Sequence, residues 1–128
     1  MILVDTSAWV EFLRGTDHPA ADRVAQAVSS EMATCDAIRM EVLAGSRDEA
    51  HLVELRGLLA RGTQLPTTSR HYEDAARLFR HARSRGLTVR RLIDCLIAAV
   101  AIDAGVPILH ADRDFDALAE CCPLRIVT

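Results

Sequence analysis

Four acidic residues in this chain have the type and local context expected of a catalytic metal site. They are Asp5, Glu41, Asp94 and Asp112. Converging carboxylates supply hard oxygen ligands, which Mg²⁺ and Mn²⁺ prefer, with water completing the coordination shell. A site of this kind is suited to metal-assisted hydrolysis of a phosphodiester. The four acids therefore predict this chemistry, provided that the fold brings them together.

Two of these acids follow predicted strands. The apolar run at 2–4 indicates a buried parallel strand and ends at Asp5, and a second strand is predicted at 106–110, shortly before Asp112. In an open parallel sheet, ligands bind outside the carboxyl ends of the strands. We therefore expect Asp5 and Asp112 to reach the same edge of the sheet.

The other two acids lie on predicted helices. Glu41 stands beside Ile38 and Val42, which places it at the border of an apolar helix face. Asp94 occupies the first turn of a helix predicted at 93–104, where the helix dipole favours a carboxylate.

The remaining predicted elements alternate between helices and strands. Helices are predicted from a cap at Thr6 or Ser7 to Gly15, at 20–29, from a cap at Asp36 to Gly45, and at 48–60, 70–84 and 115–121. Strands are predicted at 32–35, 63–66 and 124–127. This alternation predicts an α/β fold in which both faces of a parallel sheet are covered. The length is that of one domain, residues 1–128.

The composition limits the possible functions. The net charge is −3, so no strong basic field marks a nucleic-acid binder. All 15 basic residues other than histidine are arginine, and the absence of lysine excludes a P-loop lysine and a Schiff-base lysine.

The four cysteines lack zinc-site and Cys-x-x-Cys spacing, which favours reduced thiols. The chain begins with a strand and has no apolar run near the roughly 20 residues of a membrane span, so we expect a cytoplasmic protein.

One dense group of arginines is a candidate for binding a phosphate backbone. Its members are Arg77, Arg80, Arg83, Arg85, Arg90 and Arg91. Guanidinium groups suit phosphate because they form paired hydrogen bonds with its oxygens. The alternative is a solvated helix end whose bases complement the helix dipole, and this alternative explains part of the cluster.

Each acid also has a purely structural interpretation. Asp5 could cap the first helix, and Asp94 could serve only to complement a helix dipole. Glu41 could be a solvated helix residue, which is the commoner position of glutamate. Asp112 and the acids after it could form a polar loop with a helix cap. No single residue is specific, whereas the joint placement of the four is much more so.

The chain resembles PIN-domain ribonucleases of the VapC toxin type over nearly its whole length. The resemblance rests on Leu-Val-Asp-Thr-Ser-Ala-Trp at 3–9, Glu-Val-Leu-Ala-Gly at 41–45, Asp-Cys-Leu-Ile-Ala-Ala at 94–99 and Ile-Leu-His-Ala-Asp-Arg-Asp-Phe at 108–115. It implies a three-layer α/β/α fold around a parallel sheet. It also implies a divalent-metal-dependent endoribonuclease that cleaves structured RNA, such as tRNA or rRNA, by means of a metal-activated water.

The resemblance also implies roles for individual residues. The implied catalytic acids are Asp5, Glu41, Asp94 and Asp112. The implied ligands of one or two Mg²⁺ or Mn²⁺ ions are Asp5, Asp94, Asp112 and, as an auxiliary, Asp114. Thr6 or Ser7 matches the hydroxyl position that supports a carboxylate or a metal-bound water. The implied partners are RNA, a VapB-type antitoxin and a second copy of the chain in a homodimer.

Two other functions fit parts of the sequence. One is a phosphotransfer or phosphatase domain of similar α/β build that uses acidic residues. Against it stand the absence of lysine and the absence of a second acid two residues after Asp5. The other is a catalytically silent RNA-binding module on the same fold, which only an activity assay distinguishes from a nuclease.

Overall fold

The chain folds around a parallel sheet of four short strands. A computed structural model describes residues 1–127. The strands are β1 (Ile2–Val4), β2 (Met32–Thr34), β3 (Thr63–Gln64) and β4 (Ile108–Leu109). They are hydrogen-bonded in the order β3-β2-β1-β4, and every pairing is parallel. The predicted α/β fold with a parallel sheet is therefore confirmed.

Helices connect each strand to the next. They are α1 (Thr6–Arg14), α2 (Pro19–Ser29), α3 (Asp36–Ala44), α4 (Glu49–Leu59), α5 (Ser69–Ser84), α6 (Leu92–Ala104) and α7 (Arg113–Ala119). The crossovers through α1–α2 and α3–α4 step in one direction along the sheet, and the crossover through α5–α6 returns in the other. Because parallel crossovers are right-handed, this reversal covers both faces and gives three layers.

The strand order reverses between β1 and β4, and this reversal defines the functional edge. The two strands lie side by side, with Val4 opposite Leu109. The backbone N–H of Asp5 donates to the carbonyl of Leu109 at 2.9 Å, so the carboxyl ends of the two strands are level. Ligands of open α/β sheets bind at such a switch point. Asp5 and the segment after β4 therefore meet at the expected edge, as the sequence predicted.

Helix α6 lies at the centre of the molecule. Its residues from Asp94 to Ala101 are all buried. It packs against α5 over the small side chains Ala75 and Ala82, which permit close approach of the two helices. This burial explains why α6 is apolar on all sides. No helix within residues 1–127 is both long and apolar enough to cross a bilayer.

Some predicted element boundaries differ from the structure. The predicted strand at 124–127 is wrong, since this segment makes one isolated bridge, between Ile126 and Ile108. Strand β4 is only two residues long, so a further strand beside it could pair over only a few residues. Pro107 and Pro66, which lack an N–H group, likewise explain why β4 and β3 are shorter than predicted.

The predicted caps of two helices are also wrong. Asp5, rather than Thr6 or Ser7, caps α1 by accepting the N–H of Ser7, so the alternative interpretation of Asp5 as a helix cap is confirmed. Cys35 precedes α3, and Asp36 is the first helical residue, whose carboxylate accepts from Gln64 at 2.8 Å. A short aspartate side chain reaches the N–H of the residue two positions later in the chain, which favours Asp5 at the cap position.

Candidate active site

Three aspartates from two elements meet at the functional edge. Asp94 lies in the first turn of α6, Asp112 caps the N-terminus of α7, and Asp114 lies in the first turn of α7. Each offers a carboxylate oxygen, and the three oxygens lie within 4.8 Å of one another. Asp94 and Asp114 are buried, whereas Asp112 is partly open to solvent. The group is therefore an all-oxygen donor set with one open side.

Asp5 borders this group but is not a member of it. Its Oδ2 accepts from the backbone N–H of Ser7 at 2.9 Å and from the Ser7 hydroxyl at 2.6 Å. Its Oδ1 is buried and has no hydrogen-bond partner among residues 1–127. Burial raises the pKa of Asp5, and the hydrogen bonds from Ser7 oppose that rise. A buried acceptor without a donor is costly, so Oδ1 is a position where a cation would be stabilising.

The two hydroxyls that follow Asp5 hold two different carboxylates. Ser7 donates to Asp5, and its Oγ accepts the backbone N–H of Ala111 at 2.9 Å. This contact ties the end of β1 to the segment after β4. Thr6 instead donates to Oε1 of Glu41 at 2.8 Å and so ties α1 to α3. Both hydroxyls that the resemblance offered therefore hold an acid, and geometry does not choose between them.

His110 is a residue of this site that the sequence analysis missed. Its Nδ1 accepts the backbone N–H of Asp112 at 2.9 Å, and its Nε2 lies 3.1 Å from Oδ1 of Asp116. The ring also packs against Phe115, with centroids 5.3 Å apart. The available signal was the spacing, since a histidine can accept the backbone N–H of the residue two positions later in the chain, which here is an acid. His18 makes the same contact at the start of α2.

Arg91 joins acids from three elements. Its guanidinium contacts Asp94 at 3.1 and 3.3 Å, Asp112 at 3.0 Å and Glu41 at 3.6 Å. The Arg91 side chain is 46% exposed, whereas that of Asp94 is fully buried. The guanidinium therefore lies between the buried acids and solvent.

Arg90 and the backbone next to it fix Asp114. Oδ2 of Asp114 accepts the backbone N–H groups of Arg90 and Arg91 at 3.1 and 3.3 Å, and Oδ1 accepts Nε of Arg90 at 3.0 Å. Burial raises the pKa of Asp114, but hydrogen bonds from Arg90 and Asp94 outweigh burial and lower it overall. Asp114 is therefore an ionised acceptor that is already well occupied.

Asp94 has the opposite protonation behaviour. Burial, and then its hydrogen bond with Asp114, raise the pKa of Asp94 to about 8, although Arg91 acts to lower it. Burial thus favours the protonated form of Asp94, with Asp114 as the acceptor of its proton, whereas the two contacts from Arg91 favour the ionised form. Crowded carboxylates shed charge in this way when no cation compensates them.

The six predicted RNA-binding arginines fall into two groups. Arg90 and Arg91 are bound to the acids. The other four, which we call the helix arginines, lie on or directly after α5: Arg77, Arg80, Arg83 and Arg85. All four are exposed. Arg77 pairs with Asp74 at 3.1 Å, and Arg83 lies over the ring of Phe79 at 5.5 Å. The structure thus does not bring the six together at one site.

A cleft opens beside the acids. Its volume is about 440 Å³. The residues that line it are Thr6, Ser7, Val10, Glu11, Arg90, Arg91, Ala111 and Asp112. It therefore combines the two supporting hydroxyls, two cations and one acid of the cluster. An anionic ligand in this cleft would contact the arginines and lie next to the carboxylates.

Comparison with known proteins identifies the family. The PIN domain family model matches residues 2–120. The VapC ribonuclease Mb1587 of Mycobacterium bovis is 42% identical over 132 residues, covering 98% of this chain and 96% of the relative. Two solved structures share the fold. One is a toxin–antitoxin complex from Klebsiella pneumoniae, with TM-score 0.75, 19% identity and coverage of 98% of this chain and 100% of that chain.

The second solved structure with this fold is the sarcin–ricin loop cleaving toxin VapC20 of Mycobacterium tuberculosis. Its TM-score is 0.70 and its identity 20%, with coverage of 98% of this chain and 99% of that chain. The chain belongs to the PIN-domain family and, within it, to the VapC ribonucleases. The resemblance found in the sequence is therefore confirmed.

Proposed function

We propose that this protein is a divalent-metal-dependent endoribonuclease that acts as the toxin of a toxin–antitoxin pair. The observation that carries the proposal is the set of three aspartate oxygens within 4.8 Å of one another, next to a cleft lined by Arg90 and Arg91. Metal-assisted phosphodiester hydrolysis uses both features: acids that hold a hard cation, and basic side chains that hold the phosphate. The name of the relative from Mycobacterium bovis supports RNA as the substrate.

The donor set fits Mg²⁺ or Mn²⁺. All its atoms are carboxylate oxygens, and the uncompensated Oδ1 of Asp5 adds a further acceptor at the same edge. Asp5, Asp94 and Asp112 would hold one or two ions. Asp114 is an auxiliary, because the Arg90 side chain and two backbone N–H groups already occupy it. A bound ion would activate water for attack on phosphorus and offset the charge of the phosphate.

The chain's own groups then have separate tasks. Glu41, held by Thr6, orients or deprotonates the attacking water. Ser7 holds Asp5 and joins it to Ala111, while His110 fixes the backbone at Asp112. These contacts keep the carboxylates in place before substrate binds, which avoids reorganisation during the reaction.

The substrate is a structured RNA, such as tRNA or rRNA. Support comes from VapC20, which is described as cleaving the sarcin–ricin loop, and from the exposed helix arginines. Since the net charge of the protein is −3, RNA must bind through a local basic surface.

The test is cleavage of tRNA and rRNA by the purified protein with Mg²⁺, with Asp94→Asn as the inactive control. Hydrolysis of a small phosphate monoester without RNA cleavage would favour the phosphatase alternative. Binding of RNA without cleavage would favour the silent module.

The antitoxin is a VapB-type protein that controls this site. The support is the toxin–antitoxin complex with the same fold and the negative charge of the cluster. We expect the antitoxin to place an arginine or lysine near Asp5 and Asp94, where it competes with Arg91. A crystal structure of the complex tests this: complete inhibition through apolar contacts far from both acids contradicts it.

The protein also forms a homodimer. Support comes from an apolar groove of about 380 Å³ between α3, α5 and α6. Met40, Tyr72 and Leu92 line it and are 60%, 62% and 58% exposed, which is unusual for large apolar side chains. Analytical ultracentrifugation of the wild type and of Tyr72→Arg tests the dimer and this face together.

A further inference from the structure

The guanidinium of Arg91 contacts two of the carboxylates that would hold a cation. It donates to Oδ1 of Asp94 at 3.1 Å and to Oδ2 of Asp112 at 3.0 Å. Those two residues also belong to the group of three acids whose oxygens lie within 4.8 Å. A divalent ion and Arg91 therefore share two carboxylate partners, Asp94 and Asp112.

The backbone of Arg91 is held in place, whereas its side chain is free to change position. Its backbone N–H donates to Asp114 at 3.3 Å, and the residue directly precedes α6 as its N-cap. The side chain, by contrast, is 46% exposed and lines the open cleft beside the acids. Rotation of its long side chain moves the guanidinium from the carboxylates into that cleft without moving the helix.

The local charge provides the driving force. Five acidic side chains surround this edge: Asp5, Glu41, Asp94, Asp112 and Asp114. Arg91 contacts three of them, at distances from 3.0 to 3.6 Å. Without a metal it reduces their mutual repulsion. When a divalent ion binds Asp94 and Asp112, the ion repels the guanidinium at close range, and the attraction that held Arg91 is lost.

We propose that Arg91 is an internal counter-ion that a divalent cation displaces, and that the released guanidinium then binds a phosphate of the RNA in the adjacent cleft. The proposal rests on the proposed ribonuclease function. A guanidinium fits phosphate through two parallel hydrogen bonds, so the same fork that holds two carboxylates serves the substrate. Metal binding and RNA binding are thereby coupled, each increasing the affinity for the other.

The first test is Mn²⁺ binding by calorimetry to the wild type, Arg91→Gln and a matched control, Arg113→Gln. Arg113 is exposed, lies between Asp112 and Asp114 in sequence, and has no ion pair among residues 1–127. Removing Arg91 removes the competitor, so Arg91→Gln should bind Mn²⁺ about fivefold to tenfold more tightly than the wild type. Arg113→Gln loses the same charge without the contact and should change the affinity much less. Equal affinities for the two variants, or weaker binding by Arg91→Gln, overturn the proposal.

The second test is binding of an RNA hairpin with 2′-O-methyl groups, shown on a gel to remain intact. In the wild type and Arg113→Gln, Mn²⁺ should increase the salt dependence of RNA binding by about one unit of slope, because one phosphate contact is added. Arg91→Gln should lack this increase. An increase that persists in Arg91→Gln shows that Arg91 does not move to phosphate and overturns the proposal.

A further variant keeps the test valid if Arg91→Gln does not fold. Arg91→Lys retains the charge but cannot form the fork, so it should bind Mn²⁺ more tightly than the wild type by a smaller factor and should lose most of the metal-dependent RNA affinity. Wild-type affinity for both ligands would overturn the proposal. If the wild type itself neither binds Mn²⁺ nor cleaves RNA, the proposed ribonuclease function fails. If it does both while the arginine variants match it, only the role of Arg91 fails.

Discussion

Thr6 donates its hydroxyl hydrogen to Oε1 of Glu41 at 2.8 Å, across 35 residues of sequence. The next residue, Ser7, donates to Asp5 instead. Two adjacent hydroxyls at the start of α1 thus hold acids from two elements. Each acid keeps one oxygen that its hydroxyl does not occupy. In Asp5 that oxygen is buried without a partner within residues 1–127, and in Glu41 it faces Arg91.

The Thr6–Glu41 bond predicts a defect in activity that is larger than the defect in stability. Thr6→Val removes the donor but keeps the shape, and we expect RNA cleavage to fall about tenfold because Glu41 loses its orientation. The free energy of unfolding should fall by only about 0.5–1.5 kcal/mol, since the site is partly exposed. Single-turnover cleavage and thermal melting measure the two effects. Thr6→Ser keeps the hydroxyl and serves as the control, and a Thr6→Ser enzyme as slow as Thr6→Val would argue against this role.

Asp94 should be required for activity but not for folding. We expect Asp94→Asn to abolish RNA cleavage while circular dichroism shows an unchanged fold. The asparagine is neutral and can still donate to Asp114, as the protonated Asp94 does. Cleavage at the wild-type rate, or an unfolded variant, would show that Asp94 does not have this role.

The same variant gives a pH-dependent prediction for the metal-free protein. The pKa of Asp94 in the folded state is about 8, raised mainly by burial from an ordinary value of 3.8. The stabilising effect of the neutral carboxyl is complete below pH 4 and is lost as pH rises towards 8, because the unfolded chain releases this proton earlier. Asp94→Asn avoids this loss, so its free energy of unfolding relative to the wild type should increase as pH rises from 4 to 8. Urea denaturation in EDTA measures the difference, and a pH-independent difference contradicts the assignment.

The fold and the shared sheet edge of Asp5 and Asp112 could be predicted because their causes are local. Apolar runs and capping residues identify the elements, and the rule for parallel sheets places Asp5 and Asp112 at one edge. The positions of Arg90 and Arg91 could not be predicted in this way. They depend on the path of the chain between α5 and α6, which is set by backbone bonds to Asp114, a residue more than 20 positions away. His110 was missed because its contact with Asp112 is to a backbone N–H rather than to the carboxylate.

Removal of the metal should abolish activity reversibly. We expect EDTA to stop RNA cleavage and excess Mg²⁺ or Mn²⁺ to restore it, because the proposed ligands are all carboxylate oxygens. Zn²⁺ should not be required, since no thiol or imidazole belongs to the group of three acids. Cleavage assays with each ion after dialysis against EDTA test this. Full activity in excess EDTA would exclude a divalent metal from the reaction.

The helix arginines should affect RNA affinity without affecting the metal site. Arg80 and Arg83 are exposed on α5, which carries none of the proposed ligands. Each phosphate contact releases counterions, so changing both to Gln should lower the slope of the salt dependence of RNA binding by up to about two units. Mn²⁺ affinity should stay at the wild-type value. The measurement uses an Asp94→Asn background for RNA binding across a salt series.

The matched control for this pair is Arg56→Gln with Arg61→Gln, which removes two exposed arginines at the end of α4 and just after it. Both double variants lose the same net charge, so any change caused by the overall field of the protein appears in both. A lower slope in the Arg80 and Arg83 variant alone places the RNA path across α5. An equal slope in both variants means that α5 faces solvent or a partner and that the RNA reaches the cleft from another direction.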